Sequence, residues 1–101
     1  MNISEQLKAS QDQYSTICIS TAHVSKEDRT KLSRMCFDPN CNMIMKRDTG
    51  WFVKLYDEAE DNDYDVSEDL KALFYYCVEA GFRMIEFDCD AEIYGFFTRY
   101  E

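Results

Sequence analysis

Apolar residues recur along this chain with two periods. Leu70, Leu73, Phe74, Cys77 and Val78 fall at i, i+3, i+4, i+7 and i+8, which places them on one side of an α-helix. Ser67 or Asp65 can cap its start, and Gly81 follows Ala80 where a helix-terminating glycine belongs. A second helix is predicted after Ser25, with Glu27 and Asp28 in its first turn. Leu32, Met35 and Cys36 form its apolar side, and Asp38-Pro39-Asn40 breaks it. Residues 14–20 and 82–88 are rich in β-branched and aromatic residues and are predicted strands. Residues 43–47 and 51–56 are two apolar runs joined by Asp48-Thr49-Gly50, a hairpin signal in which Gly50 is expected to supply positive φ. Residues 93–100 form an aromatic tail expected to pack or pair with the rest. Residues 1–13 are a polar lead-in with weak helical character.

The order is therefore strand, helix, strand, strand, helix, strand. An α+β fold follows, with both helices on one face of an antiparallel sheet in a ferredoxin-like or related split βαβ arrangement. The 101 residues, 46% apolar, suffice for one core without disulfides or metal. Residues 14–101 are expected to be that single domain, carrying an acidic loop at 57–66. There are no internal repeats. The first thirteen residues lack the apolar stretch of a secretion signal, and no run approaches the roughly 20 apolar residues of a membrane span. The five cysteines are an odd number scattered through ordinary elements, which suits reduced thiols in a cytoplasm.

Charge changes the picture more than composition does. Residues 57–69 hold eight carboxylates, and without them the chain has twelve acidic residues against eleven basic. Residues 1–54 balance to +2 and residues 55–101 to −11. A net charge of −9 disfavours nucleic acid or an anionic membrane as a direct partner and favours a basic protein that itself binds nucleic acid. Eight charges over thirteen extended residues average about 5–6 Å apart, sparser than the roughly 3.4 Å of one DNA strand. The loop alone is a poor copy of DNA. If the last strand continues past Asp88, Glu86, Asp88, Asp90 and Glu92 share one face. Loop and strip together, doubled in a homodimer, would present a denser field.

No reaction is indicated. Asp61-Asn62-Asp63-Tyr64-Asp65 resembles the start of an EF-hand loop, but its sixth and twelfth positions are Val66 and Ala72 rather than Gly and Glu. His23, Cys36 and Cys41 make only three zinc ligands where a structural site needs four, so His23 is expected to be structural. No serine, cysteine or lysine has a nucleophile's neighbourhood. Neither catalytic residues nor a cofactor nor a metal is expected. A carboxylate–metal enzyme at Asp88 and Asp90 would lack a third ligand and a base.

Three segments, Ser20-Thr21-Ala22-His23, Gly50-Trp51-Phe52-Val53 and Phe87-Asp88-Cys89-Asp90, resemble in order and spacing a family of small bacterial proteins known as domain of unknown function 5983. The resemblance runs from about Thr16 to Glu101. Family members commonly close with Gly-Leu-Pro before a tyrosine, where this chain reads Gly95-Phe96-Phe97-Thr98-Arg99-Tyr100. The resemblance implies an accessory gene of a plasmid, phage or other mobile element. It implies no catalytic residue. Together these readings predict a non-enzymatic inhibitor of a host defence or nucleic-acid-handling protein, of the anti-CRISPR or anti-restriction type. Its contact strip would be Asp57, Glu58, Glu60, Asp61, Asp63 and Asp65, with Glu86, Asp88 and Asp90 secondary. The alternative is an interaction module docking through Trp51, Phe52 and Tyr56.

Overall fold

The computed structural model describes residues 2–58 and 61–100. Its elements are α1 (Ile3–Lys8), β1 (Ser15–Ser20), a 3-10 turn (Thr21–His23), α2 (Lys26–Cys36), β2 (Ile44–Arg47), β3 (Gly50–Lys54), α3 (Glu68–Glu79) and β4 (Phe82–Asp88). Both long helices start at a serine. Ser25 Oγ accepts from the Asp28 amide at 3.2 Å and Ser67 Oγ from the Leu70 amide at 3.3 Å, each satisfying an N–H that the helix leaves open. Gly81, at φ 98°, ends α3. No helix among the described residues is long and apolar enough to cross a membrane.

The α+β class is as expected, but the sheet is mixed rather than antiparallel. Its order is β1-β4-β3-β2, with β1 parallel to β4 and both other pairs antiparallel. A ferredoxin-like arrangement would insert β1 between β4 and β3. Here β4 takes the inner place. Its Ile85 and Phe87 are wholly buried, whereas β1 begins with exposed Ser15 and Thr16 and buries only its far end, so β1 is the cheaper strand to leave at an edge.

Register sorts the side chains. Ile19, Ile44, Trp51, Val53, Ile85 and Phe87 share the face that α2 covers with Leu32 and α3 with Leu70, Leu73, Phe74 and Cys77. Both helices therefore lie on one side, and each fully buried Leu, Ile or Phe adds about 1.5–3 kcal/mol. The other face carries Cys18, Met45, Arg47, Phe52, Lys54, Met84, Glu86 and Asp88.

Gly50 corrects a second expectation. The hairpin turns through Asp48 and Thr49 alone, and Gly81 is the one positive-φ residue among those described. Gly50 is needed for space: a Cβ there would meet the Phe87 carbonyl oxygen at 1.8 Å. The aromatic tail packs rather than pairs as a strand. The Tyr100 amide donates to Ala22 O at 2.8 Å and the Tyr94 hydroxyl to Cys18 O at 3.2 Å.

Candidate functional site

The acidic loop leaves β3 at one end of the sheet. From residue 61 to 66 its side chains alternate: Asp61, Asp63 and Asp65 are exposed, Asn62 and Val66 are buried and Tyr64 is half-buried. Two tight turns repeat with that period, the Tyr64 amide donating to Asn62 O at 3.0 Å and the Val66 amide to Tyr64 O at 2.9 Å, and they give the loop an inner and an outer side. Asn62 holds the inner side, its Oδ1 accepting from the Tyr56 amide at 2.6 Å and its Nδ2 donating to Tyr56 O at 3.0 Å. The Tyr64 hydroxyl donates to Lys54 O at 2.6 Å, and burial pushes its phenol well above the ordinary range. Tyr64 also meets Phe74 of α3 edge-on, with ring centroids 5.6 Å apart. The carboxylates thus stand on an anchored ridge.

Some of this charge is locally compensated. Asp57 lies 2.5 Å from Arg83 Nε, Asp63 3.4 Å from Lys71 and Asp65 3.6 Å from Lys31. The three carboxylate side chains are still 80%, 81% and 92% exposed, so the pairs are the solvated kind worth about 0–1 kcal/mol and leave the oxygens open to a partner. Glu58 and Asp61 are exposed and have no cation within ion-pair distance among the described residues. Glu60 lies outside the described residues.

The second strip is placed elsewhere. β4 ends at Asp88, so Asp90 and Glu92 do not continue the face on which Glu86 and Asp88 sit. The loop touches β4 near its start, through Arg83, and Asp88 is five residues further on, about 17 Å along the strand. Glu86 and Asp88 are also bridged by Arg47, whose Nη1 bonds the Glu86 carboxylate and lies 3.2 Å from Asp88. The Asp90 amide first, and Arg47, hold the Asp88 carboxyl below its usual range. Cys18 donates to Glu86 at 3.6 Å, and burial followed by that carboxylate raises its thiol pKa. Strip and loop do not form one acidic surface.

The hairpin alternative is also divided. Trp51 and Phe52 point to opposite faces, Trp51 into the core at 6% exposure, and only Tyr56 is well exposed. Asp88, Cys89 and Asp90 bring one donor atom each within 4.8 Å of one another, but Asp88 is committed to Arg47 and the Asp90 amide, and burial followed by the two aspartates raises the Cys89 thiol. All five cysteines are free.

His23 is structural. It is 4% exposed, its Nε2 accepts from the Tyr94 amide and its Nδ1 faces Thr98 O, both at 2.9 Å. This pattern requires the neutral ring with its proton on Nδ1, and it straps the tail beside β1. Sequence reasoning missed two residues that shape the loop end. Asn62 hid within the acidic run, and Asp28 read as an ordinary first-turn acid. Asp28 is 2% exposed and accepts from both the amide (2.8 Å) and the hydroxyl (2.5 Å) of Ser67, fixing the start of α3 and hence the end of the loop.

Neither curated proteins nor solved structures yield a match to this chain. A family model does, over residues 16–101, from the second residue of β1 through the tail. The chain belongs to the family of unknown function DUF5983, as its C-terminal domain.

Proposed function

We propose that this protein is a non-enzymatic binding protein whose acidic ridge occupies the basic groove of a nucleic-acid-handling protein. Bacterial defence effectors of the CRISPR and restriction type are the class of target. The observation that carries this reading is the alternation at residues 61–66, which turns Asp61, Asp63 and Asp65 outward while Asn62, Tyr64 and Val66 anchor them. Preorganised charge loses less entropy on binding than a mobile acidic loop would. The contact set is Asp57, Glu58, Asp61, Asp63 and Asp65. Glu86 and Asp88 drop out of it because Arg47 neutralises them at the far end of β4. One nucleic-acid strand carries a charge per roughly 3.4 Å of helix axis, denser than carboxylates at every second residue of the loop, so recognition rests on the field of the ridge as a whole.

The test is capture from bacterial lysate on the immobilised protein, washed at about 0.1 M and about 0.5 M salt, between which the screening length falls by roughly half. Nucleic-acid-binding proteins should be retained at low salt, released at high salt and displaced by duplex DNA. The isosteric variant D61N/D63N/D65N should not retain them. Partners that survive high salt, or that the variant holds equally well, would show the ridge is not the contact.

A further inference from the structure

α1 is a helix without a place to rest. None of its residues is buried, and Ile3 and Leu7, one turn apart on the same side, are 76% and 67% exposed. Six residues are too few for a helix to hold by its own hydrogen bonds, and short helices are normally kept by packing an apolar side against something. Near the root of this arm lies an apolar groove of about 480 Å³ that nothing fills. Ile17 of β1, Cys77 and Ala80 at the end of α3, and Phe82, Phe96 and Phe97 are among the residues that border it. Phe96 is its outer wall, 75% exposed. The arm has an apolar side and no groove, and the groove has apolar walls and no occupant.

The two belong to opposite faces of the same molecule. The groove opens on the side of the sheet that α2 and α3 cover. Tyr14, where the arm joins β1, is held on the other side, with Lys54 Nζ 5.6 Å over its ring. The link between them is folded on itself, Gln13 Nε2 donating to Lys8 O and to Ser10 O, each at 2.7 Å. To fill its own groove the arm would have to release Tyr14 from Lys54 and pass round the β1 edge. Docking on a second copy requires neither. We infer that α1 is an exchange arm: in a dimer, Ile3 and Leu7 of each copy fill the groove of the other. Apolar anchors at i and i+4 of a helix laid into an apolar groove are a recurring mode of recognition. Reciprocal exchange presents the same two surfaces on each copy and closes at two.

The test is sedimentation equilibrium of the full chain across a range of concentrations, with reductant present because all five cysteines are free. The parent should reach twice the chain mass below millimolar concentration. The double variant Ile3→Ser/Leu7→Ser should weaken dimerisation by about tenfold or more, and its fold should survive because α1 buries nothing. Phe96→Ser, at the exposed wall of the groove, should weaken it likewise. Each variant keeps the half that the other has lost. An equimolar mixture therefore retains one matched arm and groove per pair and should associate more tightly than either variant alone. D61N/D63N/D65N should dimerise at least as well as the parent, which separates the arm from the ridge. A parent that stays monomeric up to millimolar concentration, an arm variant that dimerises like the parent, or a mixture no tighter than its components would overturn the inference.

Discussion

At the scale of residues, the most consequential acid in the chain is one that the charge pattern does not single out. Asp28 carries no share of the acidic run, yet it is buried and ties α2 to the first residues of α3 through two hydrogen bonds to Ser67. Asparagine is the same size but turns one acceptor into a donor facing Ser67. Asp28→Asn should therefore cost about 1–3 kcal/mol in urea denaturation, the range for a buried group left without its partner. A change under 0.5 kcal/mol would mean the two helices are held by apolar packing alone. Tyr100 gives a pH signature. Its hydroxyl donates to Asp69 at 2.6 Å, and that bond first, burial second, pushes the phenol up to about 12 from 10.0. A folded value above the unfolded one favours the neutral phenol on folding. The contribution is whole below pH 10 and drains away as pH rises through about 12. Between pH 9 and 12 the parent should lose more stability than Tyr100→Phe, which lacks the bond throughout; parallel losses would place the tail outside the folded unit.

At the scale of elements, what was legible in the sequence is what local chemistry decides. The serine caps of α2 and α3, the apolar stripe from Leu70 to Val78, the two-stranded hairpin and Gly81 all follow from neighbours a few residues away. Strand order does not. Whether β1 or β4 takes the inner place depends on contacts between residues nearly seventy positions apart, such as Cys18 with Glu86, and no local signal encodes them. Separation along the chain also hid the reason for Gly50, whose constraint is the Phe87 carbonyl on another strand. It also hid Arg47, which neutralises a strip that looked available in the sequence. The two glycines make opposite demands that mutation can separate. Gly81→Ala meets open space and pays only for its positive φ, about 1 kcal/mol. Gly50→Ala drives a methyl into backbone and must spread β3 from β4, so it should cost about 3 kcal/mol or prevent folding. Thermal or urea midpoints would rank them, and a larger loss at Gly81 would contradict the β3–β4 register.

At the scale of the whole molecule, the acidic loop at one end of the sheet should be a cost to the fold. Lys31, Lys71 and Arg83 each meet a ridge carboxylate, but through exposed pairs that return little. Asp61, Asp63 and Asp65 stand on the outer side of the loop with Cα atoms two residues apart, at most about 7 Å, inside the screening length of about 10 Å in 0.1 M salt, and repel one another. Salt should screen that repulsion more than it weakens the pairs, so the melting temperature at pH 7 is expected to rise between about 0.02 M and 0.5 M NaCl. D61N/D63N/D65N should melt higher than the parent at low salt and show a flatter dependence, because it removes repulsion while keeping the hydrogen bonds of Asn62 and Tyr64. A parent that melts lower in high salt would mean the ion pairs dominate and the ridge is structural. The expected result bears on the proposed function: a charge cluster whose removal stabilises the fold is not kept by the fold, which is the condition a basic partner as its use would require.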